Sequence, residues 1–448
     1  MSREYKDSGI EWIGQIPKEW KVCRLKNVGN LYGGLTGKSG DDFNVEDDDL
    51  SYMLYVPFTN IFNNDSINPN QLFKVKIKSG EEQNLVQKGD LLFLMSSEDY
   101  DGVGKPAIME EQVDNLGLNS FCKGMRITNP NTRSKYLFYL LSSHLHRELV
   151  RQEAKGFIRI NLRQDRLSCC PIFLPPLSEQ QKIADYLDKV CGEADEMIAL
   201  QEKMIEELKA YKQSVISEAV TKGLNPNVPM KDSGIDWIGE IPEHWKLEPL
   251  KYCFGRRSEK NNPIKTQERL SLSIDKGVTL YAEKTTNLDR FKDDFTQYQL
   301  AYPNDIVLNC MNMIVGAVGL SHYLGCVSPV YYVIYPIKNN VDALYYSYLL
   351  NIPSIRGIYF SLGKGIYAIE RGEGRVNTCR LKVSYNDFGR LEIPIPPIDE
   401  QKEITTFIQN KSSDIDSLIA VKQQKIEELK EYKKSVIYEY VTGKKEVL

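Results

Sequence analysis

Two stretches of this chain carry nearly the same words. KDSGIEWIGQIPKEWK runs from Lys6 to Lys21, and KDSGIDWIGEIPEHWK runs from Lys231 to Lys246. A second echo follows each. LPPLSEQQKIADYLDKV, from Leu174, returns as IPPIDEQKEITTFIQNK, from Ile395, and KMIEELKAYKQSVISEAVTKG returns as QKIEELKEYKKSVIYEYVTGK. Lys6 and Lys231 are 225 residues apart; Pro175 and Pro396, Glu206 and Glu427, and Tyr211 and Tyr432 are each 221 apart. A repeat of fixed offset marks a fold assembled from like units. Two offsets this close, in a chain of 448 residues, make the whole chain a tandem duplication. The length agrees, because it exceeds what a single core ordinarily serves.

Each copy has the same order: a short opener, a long body, a PP…EQ signature and a long helix. The expected segments are 1–26 (opener), 27–173 (first body), 174–223 (central helix), 224–251 (repeated opener), 252–394 (second body) and 395–448 (C-terminal helix). The bodies align only in islands. KGDLLFL, from Lys88, resembles PNDIVLN, from Pro303; YLFYLL, from Tyr136, resembles YYSYLL, from Tyr345; RIN, from Arg159, resembles RVN, from Arg375. The copies keep their frame and differ in their bodies, as expected of one scaffold carrying two related modules for different targets. The bodies read as α+β: LSYMLYVPF, KGDLLFLMSS and SPVYYVIYP are rich in β-branched and aromatic residues. SKYLFYLLSSHLHRELVRQEA reads as an amphipathic helix, and its counterpart from Asp342 is interrupted by Pro353.

The helices give the clearest physical signal. Ile183, Leu187, Val190, Ala194, Met197, Met204, Leu208, Tyr211 and Val215 alternate at four and three residues, broken at Gln201. Ile404, Ile408, Ile415, Leu418, Leu429, Tyr432 and Val436 repeat the pattern, interrupted by Lys411, Lys422 and Lys425. Such a stripe specifies a coiled-coil seam, which Ile198, Ile205, Ile419 and Ile426 widen. About 44 residues at 1.5 Å each make a rod of roughly 66 Å. Pro175-Pro176 and Pro396-Pro397 stop the preceding strands. Ser178 and Asp399 are the expected N-caps, and Gly223 and Gly443 the expected stops. A striped helix must bury its stripe. The simplest partner is the other helix, antiparallel if a half-turn relates the copies; packing on its own module is the alternative.

Composition narrows the function. No apolar run reaches the ~20 residues of a membrane-spanning helix, and MSREYKDSG has no signal-peptide core, so the expected place is the cytoplasm. Nine cysteines without a CxxC pair, and only His144, His146, His244 and His322, argue for reduced, buried thiols and against zinc. A net charge of −4 excludes a uniformly basic coat, though not local basic surfaces. The four tryptophans, Trp12, Trp20, Trp237 and Trp245, sit in the openers and are expected as packing anchors.

Taken in order, the opener KDSGIEWIGQIPKEW, two variable bodies and PPLSEQ…IEELK…KQSVISEAV twice over resemble the specificity subunit of a type I restriction–modification system. The resemblance spans essentially the whole chain. It implies two target recognition domains, each reading one half of a split, asymmetric site in double-stranded DNA. It implies two long helices paired as an antiparallel coiled coil with pseudo-two-fold symmetry, which fixes the gap between the half-sites. The implied partners are two modification subunits, which carry S-adenosylmethionine and methylate adenine N6, and restriction subunits, which cleave. The chain itself is then non-catalytic and needs no cofactor.

The residues agree. No NPPY-like or DPPF-like tetrapeptide and no GxxxxGK[ST] loop is present; GKGIYAIERGEGR, from Gly363, lacks a strand–turn–helix frame. PND at Pro303 has no ExK at a suitable distance, and Glu207-Leu208-Lys209 lies on the central helix. The acidic run DDFNVEDDD, from Asp41, reads as a solvated loop. DNA contact calls for cations and amides in loops where glycine lets backbone come close. The candidates in the first body are Lys38, Ser39, Lys105, Lys155, Arg159, Asn161, Arg163 and Arg166. Those in the second are Arg256, Arg257, Lys260, Lys265, Asn309, Asn312, Lys364, Tyr367, Arg371, Arg375 and Asn377. A coiled-coil protein-interaction scaffold without DNA reading is the competing class; it predicts no salt-dependent DNA affinity.

Overall fold

Proline pairs end a strand and open a helix at two corresponding places. The computed structural model describes residues 3–10, 13–43, 45, 51–284, 294–366, 370–371, 375–376 and 380–447, with the side chains of 366–380 outside the description. The central helix spans Leu177–Lys222 and the C-terminal helix Ile398–Val441. Each starts one residue earlier than its expected cap. Pro176 O accepts from Glu179 N and Gln180 N, which places Ser178 within the first turn; Pro397 O accepts likewise from Gln401 N. Gly223 and Gly443 stop the helices at φ +75° and +70°, conformations that a side chain rarely adopts.

The chain divides into two compact units, residues 1–202 with 423–448, and residues 203–422. Both long helices are therefore shared. In the first unit the start of the central helix lies beside the end of the C-terminal helix: Tyr186 meets the Tyr440 ring at 4.5 Å, and Lys433 Nζ reaches Asp195 at 2.5 Å. These pairs run in opposite senses, so the helices are antiparallel there. In the second unit Lys212 Nζ donates to Asp416 at 2.7 and 2.8 Å.

The buried stripe corrects half of the expected seam. Ile183, Leu187, Ile404, Ile408, Ile415, Leu429 and Val436 are buried, and Val190, Met204, Leu208 and Val215 are partly covered. Met197, Tyr211, Leu418 and Tyr432 are instead about half exposed. Ile198, beside Met197, and Ile419, beside Leu418, turn inward instead, with Ile205 and Ile426, as does Cys191 in preference to Val190. One column of the heptad is as the spacing gives it; the other lies one residue further on. Adjacent helix positions differ by 100°, and where both are apolar the pattern does not choose between them.

Each unit holds a four-stranded antiparallel sheet of the same strand order. In the first, Gly29–Gly33 lies beside Cys122–Ile127, then Leu91–Leu94, then Pro106–Ile108. In the second, Phe254–Arg257 lies beside Tyr331–Pro336, then Ile306–Asn309, then Val318–Leu320. The single amphipathic helix expected after Ser134 is two helices, Ser134–Ser142 and His144–Glu153. The chain bends at buried Ser143, whose Oγ lies 2.6 Å from Leu140 O and 3.1 Å from His146 Nδ1. Its counterpart is Ala343–Leu349, capped by the Asp342 side chain, then Pro353–Leu362.

The repeated words of the sequence join opener, body and helix. Trp20 is fully buried and its Nε1–H donates to Glu179 Oε2 at 3.1 Å; Trp245 is equally buried and donates to Glu400 Oε2 at 3.0 Å. Gln180 accepts from Arg133 N and donates to Asn131 O and Pro175 O. Gln401 accepts from Asp342 N and donates to Asn340 O and Pro396 O. Tyr136 OH reaches Val441 O at 3.4 Å, and Tyr345 OH reaches Val220 O at 2.6 Å. Buried polar groups persist only when paired, so each Glu-Gln step is a lock. Trp237 packs at the edge of the second core, while Trp12 lies outside the described residues. The described cysteines are free thiols, and burial pushes those of Cys122 and Cys170 up to about 12.

Candidate nucleic-acid interface

Both sheets carry a buried aspartate at the island that aligned in sequence. Asp90 Oδ2 accepts from Tyr32 OH at 2.6 Å, from Arg126 Nη2 at 2.8 Å and from Gln87 N at 2.9 Å. Asp305 accepts from Arg257 Nε at 2.6 Å and Nη2 at 2.9 Å, and from Tyr302 N at 2.8 Å. The arginine comes from opposite strands in the two units. In the first, Gly124-Met125-Arg126 faces Tyr32; in the second, Gly255-Arg256-Arg257 faces Tyr335. Each arginine lies over the ring opposite, at 5.4 Å for Arg126 and 4.6 Å for Arg257. The glycine makes room: a Cβ at Gly124 would sit 2.0 Å from the Tyr32 ring, and one at Gly255 2.7 Å from that of Tyr335. Burial, then Asp90, raises the Tyr32 hydroxyl far above the ordinary phenol range. Hydrogen bonding to Asp305 raises Arg257, fixing its charge.

Several candidate contacts are committed to the fold. The guanidinium of Arg257 is held by Asp305. Lys38 is buried, its ammonium on Glu81 Oε2 at 2.6 Å and Lys76 O at 2.7 Å, and Ser39 binds Asp42 through both N and Oγ. Lys105 donates to Phe62 O and Asn64 O, and burial lowers its pKa.

Four others are gathered on one hairpin. Lys155 and Asn161 pair through N–H···O bonds of 3.0 and 2.9 Å, closing a loop over Gly156–Arg159. Arg159 lies 5.5 Å over the Phe121 ring, and Asn161 Nδ2 donates to Arg159 O. Arg163 is exposed, with Asp165 at 3.0 Å, and Arg166 reaches Glu153 at 3.2 Å. Ile160–Asn161 pairs with Ser96–Ser97, anchoring the hairpin to the module. A cleft of about 300 Å³ at its foot is lined by Phe58, Phe62, Phe121 and Arg159, with Ser96 to Asp99.

In the second unit Arg256 is exposed and clamped between the Tyr332 and Tyr385 rings, at 5.2 and 4.8 Å. Two rings at these distances hold a guanidinium flat and leave its edge free for ligand. Lys260 and Asn312 are exposed, Lys265 binds Glu259, and Asn309 Oδ1 accepts from Met311 N. Lys364 lies exposed on Lys364–Ile366, which pairs with Arg380–Lys382. Arg371 and Arg375 face each other across a short strand pair; their side chains, and the whole of Tyr367 and Asn377, lie outside the description. Sequence reasoning did not find Phe121, the Tyr332–Tyr385 clamp or Arg126. Their only trace is the Gly-x-Arg triplet, GMR and GRR, which falls on different strands in the two copies.

A family model described as type I restriction modification DNA specificity domain matches residues 17–210. The putative type I restriction enzyme MjaX specificity subunit of Methanocaldococcus jannaschii is 27% identical over 96% of this chain and 95% of that protein. The MjaVIII specificity subunit of the same organism is 24% identical over 96% and 94%. The EcoKI specificity subunit of Escherichia coli is 27% identical over 53% of this chain and 48% of that protein. A chain from a structure titled for complex assembly and conformational transition of the type I R-M system aligns with TM-score 0.68 at 15% identity, covering 96% of this chain and 99% of that one. The HsdS subunit from Thermoanaerobacter tengcongensis aligns with TM-score 0.51 at 15% identity, covering 96% and 98%. At such identities these two likenesses speak for the fold alone. The family model over residues 17–210 and the relatives that align end to end make the chain similar to the specificity subunits of type I restriction enzymes.

Proposed function

We propose that this chain reads DNA sequence for a type I restriction–modification complex, each recognition module taking one half of a split, asymmetric duplex target. The observation that carries this is a frame repeated contact for contact, with Glu179 and Glu400 on tryptophans and Gln180 and Gln401 on the bodies, around modules whose exposed side chains differ. A scaffold alone needs no such divergence. In this reading 27–173 and 252–394 are the recognition domains, 1–26 and 224–251 the framework, and 174–223 and 395–448 an antiparallel coiled coil with pseudo-two-fold symmetry. Two modification subunits and the restriction subunits bind this frame in the cytoplasm and carry adenine methylation and ATP-dependent cleavage, so the chain is non-catalytic.

The proposed contacts are Lys155, Arg159, Asn161 and Arg163 in the first module, and Arg256, Lys260, Asn309, Asn312 and Lys364 in the second, with Tyr367, Arg371, Arg375 and Asn377. Lys38, Ser39, Lys105 and Arg257 serve their own modules instead. Mapping adenine methylation in cells that carry this chain and its modification subunit tests the reading. A split motif should vanish when the gene is deleted, and exchanging residues 27–173 should change one half only. Motifs that survive deletion while the modification subunit is expressed would overturn DNA reading in favour of the scaffold.

A further inference from the structure

The hairpin that gathers the first module's cations ends in two apolar residues that nothing covers. Phe157 is 101% exposed and Ile158 85%; the next most exposed large hydrophobic side chain of the described residues is Val421, at 65%. Soluble proteins scatter single apolar residues over their surface without consequence, but an adjacent aromatic and aliphatic pair on a protruding tip is different. The tip is not loose. Lys155 and Asn161 close it in both directions, Leu162 N donates to Met95 O, and Ala154, Ile160 and Leu162 are buried on either side. Gly156 has φ +151°, and a Cβ there would sit 1.9 Å from Arg159 O, so the turn is tight at its base. With its neighbours fixed inward, the backbone holds Phe157 and Ile158 outward.

The surroundings say what the tip meets. Lys155 and Arg159 flank it, and neither holds an ion pair among the described residues; Asn161 and Arg163 follow within a few residues. Apolar side chains between cations suit a ligand that is anionic outside and aromatic inside. Duplex DNA has that construction, with phosphates along its edge and stacked bases within. Phenylalanine and isoleucine are among the side chains that proteins insert between base steps. The aromatic cleft at the hairpin's foot, walled by Phe58, Phe62 and Phe121, extends the same apolar character inward.

We infer that Phe157 and Ile158 form a wedge that enters the base stack of the half-site read by the first module, while Lys155 and Arg159 hold the flanking phosphates. The inference rests on the DNA-reading proposal above and adds a deformation of the DNA to it. A site read through a wedge gains specificity from how easily each step unstacks, including steps whose edges are not touched.

The test uses the chain assembled with its modification subunit, on a duplex carrying the mapped site with 2-aminopurine placed at successive positions of that half-site. The methylated adenine is left out of the scan, because methylation can disturb its stacking independently. The wild-type complex should show a rise in fluorescence at one step. The Phe157→Ser/Ile158→Ser variant should lose the rise and bind the site 10- to 100-fold more weakly, with assembly and non-specific affinity unchanged. Phe157→Leu should keep the rise. A serine variant that retains both the rise and the affinity overturns the wedge, and one that fails to assemble overturns it in favour of a protein contact. If the wild-type complex itself shows no salt-dependent DNA affinity, the reading beneath the inference fails, a result distinct from either.

Discussion

Removing the carboxylate of Asp305 tests the charge lock of the second sheet most directly. The side chain is 2% exposed and holds three donors, two from Arg257 and one from Tyr302 N. Deleting one partner of a buried pair costs ~3–5 kcal/mol, because the remaining charge stays desolvated. Arg257 is 23% exposed and can turn partly to water, which puts Asp305→Ala at the lower end, about 3 kcal/mol. At 1.36 kcal/mol per decade, local opening should become about 100-fold more frequent. Hydrogen exchange of the complex, followed by mass spectrometry, reads this in peptides covering Ile306–Asn309 and Tyr331–Pro336. The long helices and the first unit should exchange as before. Arg257→Leu/Asp305→Leu should cost less than Asp305→Ala, since it leaves no stranded charge. Less than threefold acceleration in Asp305→Ala, or a double variant worse than the single one, would refute the reasoning.

Three further outcomes follow from the same geometry. His146 is fully buried, with Nε2 on Pro171 O and Nδ1 on Ser143 Oγ, and burial lowers its pKa from 6.5 to about 4. The unfolded chain therefore binds the proton first, so the first unit should lose stability as pH falls from 6.5 to 4, by about 3 kcal/mol in all; thermal melts of wild type and His146→Gln across that window check it, the variant being flatter. Gln401→Leu strands Asp342 N and two carbonyls in the second core and should cost about 3 kcal/mol, seen as a lowered melting temperature without loss of the first unit. Arg256→Ala should relax base preference at one position of the second half-site, worth ~1–3 kcal/mol, and Arg256→Lys should not restore it, because an ammonium does not stack flat between Tyr332 and Tyr385; binding assays on single-base variants of the site decide this, and equal weakening on all of them would show a phosphate contact instead.

The frame was legible in the sequence because its residues act locally and twice. Trp20 with Glu179 and Trp245 with Glu400 sit in words that repeat, and Gly223 and Gly443 end helices by a backbone rule that needs no partner. The seam was half legible. Leu187 and Leu208 fall where the spacing puts them, but Met197 and Ile198 are adjacent and both apolar, so the period of the text does not choose between them. The site was least legible, because charge in a loop does not reveal its partner. Lys38 and Arg257 read as ligand cations until Glu81 and Asp305 are seen beneath them, while Arg256, next in the chain, is free at its edge. Arg126 escaped altogether: the lock it shares with Asp90 is the lock of Arg257 with Asp305 after exchange of the paired strands, and comparison position by position has no means of aligning it.

The first unit is discontinuous in the chain, completed by residues 423–448. Val436 and Val441 belong to its core, and Gly443 lies against Pro17 and Trp20. The second unit is one continuous stretch. During synthesis, then, the module made first is finished last. Translation of the intervening residues, at ~5–20 per second, leaves its core open for roughly 11–44 s after residue 202 has been added. Over that time the second unit can close around its own tryptophan and helix ends. A premature stop near residue 422 would therefore spare the half of the protein nearest the break and disable the half furthest from it.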